Sequence, residues 1–350
     1  MRTKSAQNGF SLLVLYVLLC MHCGSFAQSK SLRQYYYWIN QAELAICDSN
    51  FQRASDCYDK AFSIHRPFGG HASFAYRVNA DYLHDTVRIV QCFHYLAQMG
   101  DPIEWYVEDT IQQVSLYHLL KKVADTTKVL VDTRLQQAME KICDDDSRVR
   151  QNWNPFDTVQ LERIDSMDAV NLQKVKKLYK QYKNINDYNL GMSSAAANLV
   201  LKHNCNRILF NPKKLWLKEV KKGNLEASRY MILEDYCHTA ISRAHGRGKA
   251  TLYGINVDYS FIIDGTLFVV QPAKLKQINR NRKKLGMSET WEDYCKKIWY
   301  LTEENEDHFS IYPRNSIFYP DDEAHEKAEE LKQKMDKDKN FGWYKPDRSL

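Results

Sequence analysis

The sequence predicts a mainly α-helical protein, with helical hairpins in its N-terminal part followed by an α-helical domain that carries one β-hairpin. Gly and Pro are sparse, at 13 and 8 of 350 residues, and helix-forming Lys, Gln, Leu and Ala are frequent. The dipeptide Asp264-Gly265 separates two strand-like runs, and both positions tolerate the positive φ of a two-residue hairpin turn. The hydrophobic and charged fractions, 44% and 26%, are typical of a globular chain.

Residues 1–27 are predicted to be a signal peptide. Arg2 and Lys4 give a positive start, an apolar run follows over residues 10–20, and Ala27 ends a small-residue cleavage motif. The apolar run is shorter than the roughly 20 residues that span a bilayer. We therefore expect an exported protein, periplasmic or extracellular in a bacterium, with no transmembrane segment after the signal is removed.

The cysteine pattern predicts neither a disulfide scaffold nor a zinc site. A lipoprotein-type cut before Cys20 or Cys23 is disfavoured because the residues before each are not small. Removal of residues 1–27 leaves seven of the nine cysteines, an odd number with wide spacing and no CxxC motif. We expect most of them to be small core side chains. One disulfide is compatible with an oxidising compartment, but the sequence does not select its pair.

The net charge argues against a nucleic-acid partner. The formal net charge is +6, and it falls to +4 without residues 1–27, which hold Arg2 and Lys4 but no acidic residue. A basic face on residues 165–183 is balanced by acidic runs near the C-terminus. An exported protein with so small a positive excess is not expected to bind nucleic acid.

The segment 35–67 predicts a pair of antiparallel helices. Small residues such as Ala42 and Ala54 stand where the two helices cross closely, and aromatic residues such as Trp38 fill the outer gaps. This spacing resembles one tetratricopeptide repeat.

A degenerate second hairpin is predicted over residues 72–100, followed by an amphipathic segment over 103–123. Stacks of such hairpins bind peptides or neighbouring proteins in a concave groove. The resemblance therefore implies a protein or peptide partner for the tetratricopeptide-like region, residues 28–125. The alternative is that these helices only pack against the next domain.

The sequence predicts the helical domain over residues 132–300, and an extension with a charged helical tail over residues 301–350. Asn224 is the predicted N-cap of one helix of this domain. The predicted strands cover residues 257–263 and 266–271. The predicted helices cover residues 132–144, 165–183, 193–203, 212–222, 224–238, 274–284 and 290–301.

Six short motifs follow one another between about Cys143 and Cys295. They are Asp146-Ser-Arg-Val-Arg150, Asp168-Ala-Val-Asn171, His203 at a helix end, Gly223 before the helix of Asp235, Gly248 with Leu252-Tyr-Gly254, and Arg282-Lys-Lys-Leu-Gly286. Together they resemble an uncharacterised bacterial family, the domain of unknown function 6624. The polar pattern departs from the family at Ser147, Tyr236, Thr251, Ile255 and Asn256. The family has no established activity, so the resemblance implies no particular reaction.

Eight polar residues are candidates for one pocket suited to a polar ligand or to hydrolysis. Asp168 and Asn171 share a helix face, as do Asp235 and His238, and a carboxylate beside an imidazole is suited to general acid–base chemistry. The candidates are Asp146, Arg150, Asp168, Asn171, His203, Asp235, His238 and Tyr253. The alternative is that they form buried ion pairs and hydrogen bonds that fix the register of the helices. A metal site of His203, Asp235 and His238 lacks a typical ligand spacing, so neither a metal nor a cofactor is predicted.

Two classes of function are compatible with these features. The leading hypothesis is an exported, non-enzymatic module of the bacterial envelope that binds a protein or another ligand through the helical hairpins. The alternative is a hydrolase-type enzyme that uses the Asp, His and Arg residues of the pocket, with Asp235 or His203 as the base. The sequence does not decide whether the protein is an enzyme.

Overall fold

A computed structural model of the chain describes residues 30–106, 114–151, 154, 156–182, 185–205, 212–244, 251–255, 260–263, 266–272, 274–303, 317–318, 329, 333, 337 and 342–344. The predicted signal peptide, the turn Asp264-Gly265 and most of the predicted tail lie outside these residues. Within them the protein is mainly α-helical, which confirms the predicted class. No helix in this part of the chain is both long and apolar enough to cross a membrane.

The N-terminal helices follow one another with short connections. They are α1 (30–47), α2 (Phe51–Ile64), α3 (Gly69–Arg77, continued by a π-helical turn at Val78–Leu83), α4 (Thr86–Gln98) and α5 (Val114–Thr126). Asn50 begins α2 by accepting a hydrogen bond from the backbone N–H of Arg53, and Asp85 begins α4 in the same way. Ala42 and Ala54 are fully buried, as small residues must be where helices cross closely.

The central and C-terminal helices carry the segment with the six motifs. They are α6 (Thr133–Arg148), α7 (Thr158–Tyr182), α8 (Asp187–Leu190), α9 (Ser194–His203), α10 (Pro212–Lys222), α11 (Ala227–Ala244), α12 (Leu275–Lys284) and α13 (Trp291–Glu303). A disulfide between Cys205 and Cys237, with the Cα atoms 5.0 Å apart, joins the end of α9 to the middle of α11. The sequence did not select this pair.

Two predicted helix starts are wrong, and hydrogen bonds of two side chains explain them. Helix α7 begins at Thr158 and not at residue 165, because the Asp157 carboxylate accepts a hydrogen bond from the backbone N–H of Gln160. Helix α11 begins at Ala227, so Asn224 is not its N-cap. The Asn224 amide instead donates to the Glu219 carboxylate at the end of α10, at 2.8 Å.

Four short strands among the described residues form one sheet. Strands β1 (Ser260–Ile263) and β2 (Thr266–Gln271) pair antiparallel, with Ile263 opposite Thr266. Strand β3 (Ile317–Phe318) runs parallel to β1, and β4 (Gly342–Tyr344) runs antiparallel to β2. The strand order is β3-β1-β2-β4.

The N-terminal helices and the helices after residue 130 share one hydrophobic core. The Tyr36 hydroxyl on α1 accepts a hydrogen bond from the backbone N–H of Ala227 at 2.9 Å, and the Ser288 hydroxyl donates to the Tyr36 carbonyl at 3.0 Å. Gly191, at φ +55°, lies directly against the Met99 carbonyl at the end of α4, where a Cβ would clash with the backbone. The N-terminal helices therefore pack closely on the rest of the chain.

Candidate functional site

Four of the eight predicted pocket residues meet at the contact of α6, α7 and α9, and we call them the three-helix network: Asp146, Arg150, Asp168 and His203. Asp146 is fully buried, and its carboxylate lies 2.8 Å from Nδ1 of His203. The Arg150 guanidinium lies 2.9 Å from the Asp146 carboxylate and 2.6 Å from the Asp168 carboxylate. The cation thus bridges two carboxylates, one of which also orients the imidazole.

The outer edge of the three-helix network is open. Side-chain exposure is 20% for His203 and 22% for Arg150, and among the described residues Nε2 of His203 has no partner. Asn171, one helical turn after Asp168, is fully buried, and its amide nitrogen makes no hydrogen bond within the described chain. Burial raises the pKa of the Asp168 carboxyl, and the Arg150 guanidinium opposes that shift.

The three-helix network contains a set of atoms with the spacing of metal ligands. One ligand atom from each of Asp146, Asp168 and His203 lies within 4.8 Å of the others. The Arg150 guanidinium, however, already supplies the positive charge between the two carboxylates. A divalent cation would have to displace that side chain, so the described geometry favours an ion-pair network over a metal centre. This set also differs from the His203, Asp235 and His238 combination considered on sequence grounds.

Asp235 on α11 holds the turn at residues 251–255. One carboxylate oxygen accepts backbone N–H bonds from Leu252 at 2.7 Å and Tyr253 at 2.9 Å. The other accepts from the Thr251 hydroxyl at 2.5 Å and from the backbone N–H of Ile255 at 2.9 Å. Four donors therefore use this fully buried carboxylate to fix a loop, which leaves it poorly suited to act as a base.

Of the remaining candidates, Tyr253 contacts Asp235 through its backbone N–H, and His238 lies on the same helix as Asp235. His238 is half-buried on α11, three residues after Asp235. The Tyr253 carbonyl accepts a hydrogen bond from Nε of Arg282 at 2.7 Å, and burial raises the pKa of the Tyr253 phenol. Neither His238 nor Asp235 belongs to the group of ligand atoms around Asp146. The structure thus brings Asp235 and Tyr253 together at the 251–255 turn, outside the three-helix network.

One cavity between described residues has a volume of about 900 Å³, and we call it the central cavity. Residues of α1 and α3 line it together with residues of α9, α11 and α13. Its apolar lining includes Ile39, Phe74, Met99, Leu199, Met231 and Met287. The volume lies in the upper part of the range for small-molecule sites. Flexible methionine side chains adapt such a lining to ligands of different shape.

A buried ion network forms one polar part of the central cavity, and we call it the junction network: Glu43, Lys297, Glu289 and Arg282. The Lys297 ammonium lies 2.5 Å from the Glu43 carboxylate on α1 and also pairs with Glu289. Arg282 pairs with the other oxygen of Glu289, and its guanidinium lies over the Tyr294 ring. Burial alone would raise the pKa of Glu289, but Lys297 and Arg282 outweigh burial and lower it.

Two further charged side chains line the central cavity without a strong opposite charge. Glu226, just before α11, lies 3.9 Å from Nε2 of His71, whose Nδ1 lies 2.8 Å from the Tyr35 hydroxyl. Lys202, near the end of α9, lies over the Tyr236 ring at 4.9 Å, and no carboxylate among the described residues forms an ion pair with it. Burial lowers the pKa of the Lys202 amine.

None of the eight predicted pocket residues lines the central cavity. The cavity is built by contacts between residues far apart in the chain, and local periodicity carries no signal of it. The unusual mixture of Glu43 and Asn40 with apolar residues on α1 was the one feature that could have indicated a polar contact there. In comparisons with known proteins, no family model, curated protein or solved structure matches this chain.

Proposed function

We propose that this protein is an exported, non-enzymatic ligand-binding module of the bacterial envelope, and that the central cavity encloses the ligand. In this proposal α1–α4 are two tetratricopeptide-like hairpins, and β1 and β2 are the arms of the β-hairpin of the following domain. The first helix of each helical hairpin, α1 and α3, lines the cavity. Helical repeat stacks present a concave binding surface, and here residues of the central helices complete the lining of the cavity.

The observation that carries the proposal is the cavity itself. A space of about 900 Å³ with an apolar lining and a few charged groups is the usual form of a ligand site. Its position between the N-terminal helices and the central helices would make the bound ligand part of the packing.

The proposal is tested by native mass spectrometry of the protein purified from the cells that produce it, and after incubation with the small-molecule fraction of those cells. Gly70 on α3 lies at the cavity, and a Cβ built on it meets no atom within 4 Å. Gly70→Phe therefore adds a large side chain at the edge of the cavity, at an exposed position where its Cβ meets no atom. Gly70→Ala is the control, since it changes helix propensity without filling the space.

We expect a bound small molecule with the natural protein and with Gly70→Ala, and its loss with Gly70→Phe. The mass difference gives the size of the ligand, and tandem mass spectrometry of the released molecule gives its class. Absence of any bound molecule from the natural protein under both conditions would overturn the proposal. Equal occupancy in Gly70→Phe would place the ligand outside the central cavity and overturn it as well.

The open imidazole edge of the three-helix network favours a hydrolase as the second candidate. Asp146 orients His203 through Nδ1 and leaves Nε2 without a partner in the described chain, the arrangement of a general base. This candidate predicts hydrolysis of p-nitrophenyl acetate above the rate of free imidazole, and loss of that excess in His203→Gln. A rate equal to that of free imidazole would exclude it.

A further inference from the structure

The positions of Lys202 and Glu226 define two ends of the central cavity. The amide of Asn198 on α9 donates to the carbonyl of Arg229 on α11 at 3.2 Å, and Cys205 is bonded to Cys237. Both contacts join a residue at or near α9 to the residue of α11 that lies about 31 positions later in the chain. The two helices therefore run parallel, and each α9 residue lies beside the α11 residue about 31 positions later. Glu226 is then level with residue 195, and Lys202 lies seven residues further along.

At a rise of 1.5 Å per residue, seven residues separate the backbone positions of Glu226 and Lys202 by roughly 10 Å along the helix axes. An extended peptide advances about 3.3–3.6 Å per residue. A chain of about three residues therefore spans the distance from Glu226 to Lys202.

The chemistry at the two ends is opposite. Lys202 offers an ammonium group that no carboxylate of the described chain neutralises. Glu226 offers a partly accessible carboxylate, one oxygen of which accepts a hydrogen bond from the Ser228 hydroxyl and lies 3.9 Å from Nε2 of His71. An unpaired charge in a partly buried site is unfavourable unless a ligand supplies the opposite charge.

The other charged groups of the lining are already paired. Lys297 is held by Glu43 and Glu289, and Arg229 lies 2.8 Å from the Asp187 carboxylate. Asp101 accepts a hydrogen bond from the Tyr106 hydroxyl at 2.7 Å, and burial raises the pKa of the Asp101 carboxyl. Lys202 and Glu226 are therefore the groups of this lining best placed to receive a charged ligand.

We infer that the central cavity binds a short peptide of about three residues with both termini free. The terminal carboxylate pairs with Lys202, the terminal ammonium pairs with Glu226, and apolar side chains contact the methionine-rich walls. This inference rests on the proposed function and adds the class of the ligand. It requires no covalent step.

Isothermal titration calorimetry with three matched probes tests the inference: trileucine, N-acetyl-trileucine and trileucine amide. We expect trileucine to bind about tenfold more tightly than either blocked peptide, because each block removes one charged contact (about 1.4 kcal/mol for a factor of ten). Equal affinity of trileucine and either blocked peptide would overturn the inference. Failure of all three peptides to bind would do the same.

Two variants test which peptide terminus each side chain contacts, because each variant combined with a blocked peptide forms a double-mutant cycle. Lys202→Met keeps the contact with Tyr236 and should abolish the preference for trileucine over its amide while leaving the preference over the acetylated peptide. Glu226→Gln should do the reverse. Lys276→Met, at an exposed position of α12 outside the cavity, is the control and should change neither preference.

The calorimetry and the native mass spectrometry separate the two proposals. A molecule that co-purifies and is lost in Gly70→Phe, together with no binding of the peptides, leaves the ligand-binding function in place and removes only the peptide. If the protein prefers peptides with free termini and neither Lys202→Met nor Glu226→Gln changes that preference, the peptide binds elsewhere. This result would overturn the inference.

Discussion

The junction network and the three-helix network are both built from two carboxylates and at least one cation, but they differ in enclosure. In the junction network, side-chain exposure is 3% for Lys297 and 0% for Arg282. In the three-helix network, Arg150 and His203 keep about a fifth of their side chains exposed. The first joins α1 to α12 and α13, whereas the second joins α6, α7 and α9.

This difference separates a structural role from a chemical one. A fully buried ion pair contributes little net stability. Removing one partner, however, leaves the other charge buried without compensation, which costs several kcal/mol. A network with an open edge can exchange protons and recruit water when one member is lost. The junction network should therefore tolerate substitution poorly, and the three-helix network should tolerate it better.

Lys297→Met is expected to give the largest effect. It leaves the buried carboxylates of Glu43 and Glu289 without their shared cation, which costs about 3–5 kcal/mol in the free energy of unfolding. Urea denaturation followed by circular dichroism measures the change. Lys296→Met is the matched control: Lys296 pairs with Asp48 at the surface, at 2.7 Å, and its loss should cost less than about 1 kcal/mol. Similar losses for the two variants would contradict the enclosure of the junction network.

Asp235 is satisfied by four hydrogen-bond donors, with no cation paired to it among the described residues, and Asp235→Asn should rank second. The amide has one acceptor oxygen in place of two, so at least one backbone N–H of the 251–255 turn loses its bond. We expect a loss of about 2–3 kcal/mol, measured by urea denaturation. Glu234→Gln, at the preceding half-buried position, is the control and should change stability by less than about 1 kcal/mol. A stable Asp235→Asn protein would make the carboxylate available for another role.

Arg150→Met tests the open edge of the three-helix network. Asp146 keeps His203 as a partner, and solvent reaches the rim of the site, so we expect a loss of about 1–3 kcal/mol, smaller than that of Lys297→Met. Arg148→Met is the control in α6, because Arg148 is 72% exposed and lies 3.8 Å from Asp145. Its unfolding midpoint should not change measurably. A loss as large as that of Lys297→Met would remove the distinction between the two networks.

The sequence contained the three-helix network but not the junction network, and distance along the chain explains why. Asp168 and Asn171 share a helical face, and Asp146, Arg150 and His203 were among the eight candidates, but the local patterns did not separate these residues from Asp235, His238 and Tyr253. Glu43 and Lys297 lie 254 residues apart, and neither shows an unusual local spacing. Their contact follows only from the docking of α1 on α13.

The same limit applies to Asp235 and to the disulfide. The periodicity of α11 identified a buried-looking carboxylate, but its four donors belong to a turn about 17 residues later, and no sequence rule assigns that turn to that carboxylate. The pair Cys205–Cys237 depends on α9 and α11 running parallel, which the spacing of the cysteines does not specify. Tertiary packing, and not helix formation, decides these points.

The dependence of stability on pH should distinguish the two networks by sign, with a smaller effect than the substitutions above. The pKa of Glu289 is lowered, so this group stabilises the fold above its unfolded pKa of about 4.3, and the contribution is lost as the pH falls through the folded value. The pKa of Asp168 is raised by burial, against the opposing effect of Arg150. Its contribution is greatest below its unfolded pKa of about 3.9 and is lost as the pH rises through the folded value.

Urea denaturation at a series of pH values between 3 and 7 measures both contributions as slopes. Glu289→Gln should reduce the loss of stability on acidification, whereas Asp168→Asn should reduce the loss on raising the pH above about 4. Asp157→Asn, at an exposed helix cap, is the control for the carboxylate change and should leave both slopes nearly unaltered. Slope changes of the same sign for the two buried carboxylates would mean that the cations around Glu289 do not outweigh its burial, and the contrast in enclosure would then fail at its most sensitive point.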